Sequence, residues 1–233
     1  MSNIAERWQN IREKVDTTAK QAGRLPNEVT VLAVSKTFPA DDVRAAWAAG
    51  AREFGENYVQ EGVEKIAELD DLPAIWHFIG PLQSNKTRPV AEHFHWVHTV
   101  DREKIAQRLN DQRPSHLPPL QVCLQVNISA DPAKSGVSID ELAPLAQQVA
   151  QLPNLTLRGL MTVPALDLDD TALSAQFAQM QQAFKALQSL HPDMDTLSMG
   201  MSDDMALAIQ HGSTCVRIGR GIFGHRERKG NLA

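Results

Sequence analysis

An amino-terminal helix followed by eight alternations of strand and helix predicts an α/β fold of a particular kind, a single (β/α)8 TIM barrel spanning residues 1–233. Three observations carry that prediction. Eight apolar runs of strand length recur along the chain, several of them are apolar throughout, and the segments between them carry helix signals with identifiable ends. A continuously apolar strand is one covered on both faces, which is the condition of a parallel sheet wrapped by helices. The same alternation allows one alternative, an open doubly wound sheet.

The strand runs are Val29 to Lys36, Glu53 to Asn57, Ala74 to Gly80, His95 to Val100, Leu120 to Ile128, Leu155 to Val163, Thr196 to Met201 and Cys215 to Phe223. Ahead of them, Ile4, Trp8, Ile11 and Val15 form a stripe at helical spacing, with Asn3 as N-cap and Glu6 three residues later. This extra helix is free to cover the barrel bottom or a partner. Ser138 and Glu141 form a capping box before Leu142, Leu145 and Val149. Leu173, Phe177, Met180, Phe184 and Leu187 make the cleanest stripe, which ends before His191-Pro192. Asp203 to Gln210 reads as a short helix stopped by Gly212 in a left-handed cap. The stretch Pro114 to Pro119 is a loop inside the alternation, and no Pro/Gly/Ser-rich linker divides the chain. Residues 225–233 form a basic, solvated tail.

Composition narrows the function classes. With 42% hydrophobic and 22% charged residues the chain is neither disordered nor membrane-embedded. A net charge of -5 gives no basic field to recruit nucleic acid. No apolar stretch is long enough to cross a bilayer, and the start Met1-Ser-Asn-Ile-Ala-Glu-Arg-Trp8 lacks a secretory pattern, so no membrane association and a cytoplasmic location are expected. Cys123 and Cys215 fall inside apolar runs and are expected to be buried and reduced. The run His93-Phe-His95-Trp-Val-His98 is dense in histidine, yet no cysteine or carboxylate joins it at ligand spacing; a core and loop-end role is expected, with no metal. Lys86 reads as a solvated helix-start charge.

In a barrel, the carboxyl ends of different strands converge, so those ends are read together. The first run ends on Lys36, an amine at the mouth. Desolvation there favours the neutral amine, the form that attacks aldehydes. The ends of the seventh and eighth runs, Ser198-Met-Gly200-Met-Ser202-Asp203 and Arg217-Ile-Gly219-Arg220-Gly221, suit an anion, because hydroxyls and glycine-rich backbone approach a ligand closely and the loops after these two strands are the usual phosphate site of the fold. Asp203 and Asp204 suit a phosphate only if they face away. Arg217 lies inside an apolar run and needs a partner. Either a core-facing carboxylate, Glu53 or Glu56, pairs with it, or it lies under a ligand ring and donates to a ring nitrogen.

An imine-forming lysine, an anion cradle and a buried arginine together describe a pocket for pyridoxal 5'-phosphate. The segments Ala33-Val-Ser-Lys36-Thr, Phe54-Gly-Glu-Asn57-Tyr, His77-Phe-Ile-Gly80-Pro-Leu-Gln83-Ser-Asn85-Lys86, Gly159-Leu-Met161, Ser198-Met-Gly-Met-Ser-Asp-Asp204 and Arg217-Ile-Gly219 resemble the YggS family, also called the pyridoxal phosphate homeostasis protein family. That resemblance implies a barrel like the amino-terminal domain of alanine racemase, with the cofactor held as a Schiff base on Lys36. It implies that Arg217 faces the pyridine nitrogen, that Ser202 and the backbone of Gly219 and Arg220 contact the phosphate with Ser198 and Met201, and that Asn57, His77 and Met161 belong to the cofactor pocket.

The resemblance also implies a carrier or regulator of vitamin B6 with no assigned catalytic residue, with apo forms of pyridoxal phosphate enzymes as recipients. The competing reading is a weak amino-acid racemase or decarboxylase. A racemase needs bases on both faces of its intermediate. Tyr58 is the single tyrosine of the chain and only a tail follows Gly224, so no second base accompanies Lys36 in the sequence. A monomer is expected.

Overall fold

The computed structural model describes residues 3–165 and 167–224, and the basic tail 225–233 lies outside the described residues. Among the described residues, eight parallel strands close into one barrel in sequential order, with β8 (Cys215–Ile218) pairing back onto β1 (Thr30–Val34). Between them run β2 (Glu53–Glu56), β3 (Ile75–Phe78), β4 (Trp96–Val100), β5 (Leu120–Val126), β6 (Leu155–Thr162) and β7 (Thr196–Ser198). Closure excludes the open-sheet alternative. Among the described residues every strand pairs on both sides, so the sheet has no free edge.

The helices are α1 (Ile4–Gln21), α2 (Ala40–Ala48), α3 (Val59–Glu68), α4 (Thr87–His93), α5 (Glu103–Gln112), α6 (Leu142–Ala150), α7 (Asp170–Gln188), α8 (Met205–Gln210) and α9 (Arg220–Phe223). At Asn3 and Ser138 the capping hydrogen bonds that the sequence signals are present. Asn3 Oδ1 accepts from the Glu6 N–H at 2.8 Å, and Glu141 Oε2 accepts from the Ser138 N–H at 2.9 Å. Gly212 takes φ +87°, the left-handed cap after α8. Phe177, Met180, Phe184 and Leu187 of α7 are buried, and Leu173 is half-buried against the same core.

The α1 helix lies in the outer ring of helices. It packs against α2, α8 and α9, and its Arg7 donates to the Ile222 and Phe223 carbonyls at 2.6 and 3.2 Å. The reason is one of length: α9 has four residues and α8 six, too few to screen β8 and β1. The amino-terminal helix fills that sector of the outer ring.

All eight strand runs extend past the ladder at one end or both. The seventh stops at Ser198 and the eighth at Ile218, although apolar residues continue through Met201 and Phe223. Met199, Ile222 and Phe223 are buried all the same, by loop and helix packing, so their apolarity reports burial and not a sheet hydrogen bond. At the β6–β7 seam Gly159 is required by close approach, since a Cβ there would stand 1.6 Å from the Thr196 carbonyl oxygen.

Candidate functional site

A cavity of about 790 Å³ opens at the carboxyl-terminal end of the barrel, within the usual range for a small-molecule site. Each side of it is built by residues at or just past a strand end. Lys36 and Phe38 follow β1, Asn57 follows β2, Ile79 follows β3, Val163 follows β6, Met201, Ser202 and Asp203 follow β7, and Gly219 and Arg220 follow β8. Val34 and Arg217 rise into it from within β1 and β8. The wall is therefore apolar, with a few cations, hydroxyls and backbone groups placed on it.

The β1 ladder ends at Val34, so Lys36 sits in the following turn and is only partly buried. Sequence reading placed it on the strand itself, where the desolvation would be greater. The turn is held tightly instead. Thr37 adopts φ +67°, a left-handed conformation costly for a β-branched residue, and its N–H donates to Glu61. Beside it Lys65 donates to the Ser35 carbonyl at 2.9 Å and to Glu56 Oε1 at 2.7 Å, while Ser35 Oγ donates to the same carboxylate oxygen at 2.6 Å. Lys65 and Glu56 are 5% and 0% exposed. Burial pushes the Glu56 carboxyl up from its ordinary value, against the opposing pull of Lys65 and Ser35. This ion pair braces the backbone that carries Lys36. Its signal in the sequence was Glu56, an acid inside a strand run, which must find a cation.

Arg217 is 5% exposed, yet among the described residues no carboxylate forms a salt bridge with it. Its Nη1 donates to Ser198 Oγ and its Nη2 to the Thr162 carbonyl, both at 2.8 Å. The expected partners are committed elsewhere: Glu56 is bound by Lys65, and Glu53 faces His77. Burial lowers the Arg217 pKa from its ordinary value.

The loop after β7 turns through Gly200 at φ +97°, where Ala208 Cβ would stand 2.6 Å from any added Cβ. The Asp204 carboxylate accepts from the Met201 N–H and so faces back into the loop. Asp203 stays at the rim, 3.7 Å from the Arg220 guanidinium. The first turn of α8 begins at Met205, two residues later than the sequence suggested, because Asp204 caps the turn before it.

Of the residues singled out from the sequence, Lys36, Asn57, Met201, Ser202, Arg217, Gly219 and Arg220 share this cavity. His77, Met161 and Ser198 do not line it. They lie inside β3, β6 and β7 at 2%, 1% and 0% exposure, in the layer beneath the floor, where inward residues of a barrel pack against each other. Lys86 is exposed and away from the lining. His98, at 0% exposure, was legible only as a core histidine; it bridges His77 and Ser198. His93 bonds the Pro89 carbonyl and His95 accepts the Trp76 N–H, and among the described residues no group of three His, Cys, Asp or Glu gathers as a metal site. Cys123 and Cys215 are buried free thiols, and burial pushes Cys215 up to about 12.

With barrel and cavity in place, the comparisons with known proteins fall into a pattern. The family model described as the alanine racemase N-terminal domain matches residues 4–227. The chain belongs to that family of barrels. It belongs as well to the pyridoxal phosphate homeostasis proteins within it: it is 56% identical to the one from Pseudomonas aeruginosa over 227 residues, covering 97% of both chains, and 54% identical to the one from Escherichia coli K12 over 230 residues, covering 97% and 98%. Among solved structures, PipY of Synechococcus elongatus with PLP bound is 40% identical at a TM-score of 0.84, over 95% of this chain and all of PipY. Alanine racemase from Enterococcus faecalis, at 19% identity and a TM-score of 0.70 over 97% of this chain and 60% of the racemase, shows the fold alone.

Proposed function

We propose that the cavity binds pyridoxal 5'-phosphate as a Schiff base on Lys36, and that the protein works in the cytoplasm as a carrier and regulator of vitamin B6 that yields the cofactor to apo-enzymes. The observation that carries this reading is the joining of Lys36, Arg217 and the Ser202, Gly219 and Arg220 segment on one cavity in a chain 40% identical to PipY with PLP bound. The names of the Pseudomonas and Escherichia relatives support the homeostatic role.

The residues present fit the group. A primary amine suits an aldehyde, hydroxyl and glycine backbone suit a phosphate, and Val34, Ile79 and Val163 suit the flat faces of a ring. Asn57 Oδ1 is buried with no hydrogen-bond partner among the described residues, as expected of an acceptor reserved for a bound polar group. When bound, the cofactor supplies an aldehyde that exchanges between amines and a ring that can accept electrons. Lys36 holds that aldehyde reversibly, with water as the product of condensation. Arg217 offers donors only and is a permanent cation, so a ring nitrogen facing it stays unprotonated and the electron sink is weak. Asp203, the carboxylate of the described lining, is held at the rim beside Arg220, away from a role as opposing base. These features favour storage of the cofactor over turnover of amino acids.

The test is spectroscopic. Adding pyridoxal phosphate to the protein is expected to raise an imine absorbance band that Lys36→Ala lacks. A bound-cofactor spectrum unchanged in that variant overturns the assignment. Delivery to an apo-enzyme in the presence of a free-aldehyde trap is expected to persist. Rapid exchange of amino-acid α-hydrogens in deuterated water would instead establish racemase or decarboxylase-type chemistry.

A further inference from the structure

Beneath the cavity floor a row of polar side chains crosses the barrel interior, in a place where apolar layers are the rule. It starts at Glu53, the first residue of β2, and ends at Arg217. Glu53 Oε2 lies 3.0 Å from His77 Nε2, off the line of the ring N–H, so that contact is bent. His77 Nδ1 lies 2.9 Å from His98 Nε2, and His98 Nδ1 lies 2.9 Å from Ser198 Oγ. Ser198 Oγ accepts from Arg217 at 2.8 Å. The three middle residues are 2%, 0% and 0% exposed. Trp96 stacks on His77 at 5.2 Å and 11°, which fixes the plane of the first ring.

Chemistry at the two ends settles the direction of every bond between them. A carboxylate cannot donate, and an unprotonated ring nitrogen 3.0 Å from it would repel it, so the His77 proton sits on Nε2. A neutral His77 then presents Nδ1 as an acceptor, which requires the His98 proton on Nε2. His98 Nδ1 is in turn an acceptor and takes the Ser198 hydroxyl proton. Ser198 has its lone pairs left for Arg217, which can only donate. Each step agrees with the next, and none needs a charged imidazole.

We infer that His77, His98 and Ser198 form a one-directional hydrogen-bonded relay, oriented by the Glu53 carboxylate at its outer end, that positions Arg217 in the cavity floor and holds both imidazoles as neutral Nε2–H tautomers. All four are positioning residues, acting through Arg217. Burial, first, and the neighbouring His77 and Arg217 keep the His98 pKa well below its ordinary value, and burial lowers that of His77 against the pull of Glu53. The other titratable groups acting on the row include Asp204 on Arg217, His95, Cys123 and Cys215, and the two thiols are held protonated by burial. On the proposed reading of the cavity, on which this part rests, the relay fixes the cation that faces the cofactor ring.

The experiment begins with the full chain free of cofactor, using ring 15N shifts of histidine. At pH 7 both His77 and His98 are expected as neutral Nε2–H tautomers in the wild type. Glu53→Gln is expected to admit the Nδ1–H tautomer at His77, since an amide can either donate or accept; its side chain is 27% exposed at the barrel end, so this variant keeps the fold. An Nδ1–H or cationic ring at His98 in the wild type overturns the relay. Ser198→Ala is then expected to weaken pyridoxal phosphate binding roughly tenfold or more, about the worth of one hydrogen bond to a charged group, and to shift the imine band, with Ser198→Thr restoring both. Unchanged affinity and band in Ser198→Ala also overturns it. Failure of the wild type to bind pyridoxal phosphate sinks the cofactor reading alone, because the tautomers are read without it.

Discussion

Around Lys36, at the corner between β1 and α2, the chain buries a full ion pair, whereas around Arg217 it buries a guanidinium against neutral acceptors only. Lys36 and Arg217 share one cavity, and the two are supported by opposite means. The difference follows from what carries each. Arg217 extends from a strand whose backbone is already fixed by the ladder to β1, Leu32 lying opposite it, so its side chain needs acceptors and nothing more. Lys36 lies on a turn past the end of the ladder, with a strained neighbour at Thr37, and that backbone needs external restraint. Glu56 and Lys65 supply it by gripping Ser35 from both sides. A charged brace fails when one partner is removed; a chain of neutral groups fails when one of them is protonated.

The largest effect expected from this contrast is at the charged brace. Lys65→Met leaves Glu56 buried without its cation and is expected to cost about 3–5 kcal/mol in urea unfolding, with most of it recovered in Glu56→Leu/Lys65→Met. A wild-type urea midpoint for the single variant would show that the pair braces nothing.

The neutral side is expected to respond to acid. His77 and His98 titrate below 6.5 in the folded chain, so the unfolded chain binds more protons than the folded one. Their contribution is complete above pH 6.5 and is lost as pH falls below it, by up to about 1.4 kcal/mol per pH unit for each ring. Unfolding midpoints measured from pH 7 to 5 test this, and His98→Gln is expected to flatten the slope. Equal slopes in both proteins would remove His98 from the account.

The smallest effect is expected at the turn itself. Thr37→Gly relieves a left-handed β-branched residue and is expected to raise stability by about 0.5 kcal/mol once the entropy of glycine is subtracted. Together with Lys65→Met it separates strain in the Lys36 turn from the brace that holds it. A loss of stability in Thr37→Gly would mean that the turn is not strained.

Much of the barrel was legible before folding was considered. Each of the eight runs became a strand, because burial on both faces demands apolarity at successive positions, and the caps at Asn3, Ser138 and Gly212 mark ends by local hydrogen bonding or local φ. The run limits were less legible. Ile222 and Phe223 are as apolar as a strand but fold into α9, since burial alone does not say which backbone pairs. The strand-end rule gathered Lys36, Asn57, Ser202, Arg217 and Gly219 onto one cavity, as convergence at a barrel mouth requires. His77, Met161 and Ser198, within β3, β6 and at the end of β7, are buried and do not line that cavity.

What the sequence by itself determined was the order of elements, the alternation of buried strands with helices and the set of chemical groups delivered to the strand ends, because periodicity and strand ends are properties of consecutive residues. What only the tertiary structure decided was who partners whom. Glu56 turned to Lys65 and Glu53 to His77, leaving Arg217 to Ser198 and Thr162. The α1 helix took a place in the outer ring that a four-residue α9 could not fill. Such choices depend on distances between segments far apart in the chain, and they are made by whichever buried group would otherwise be left without a partner.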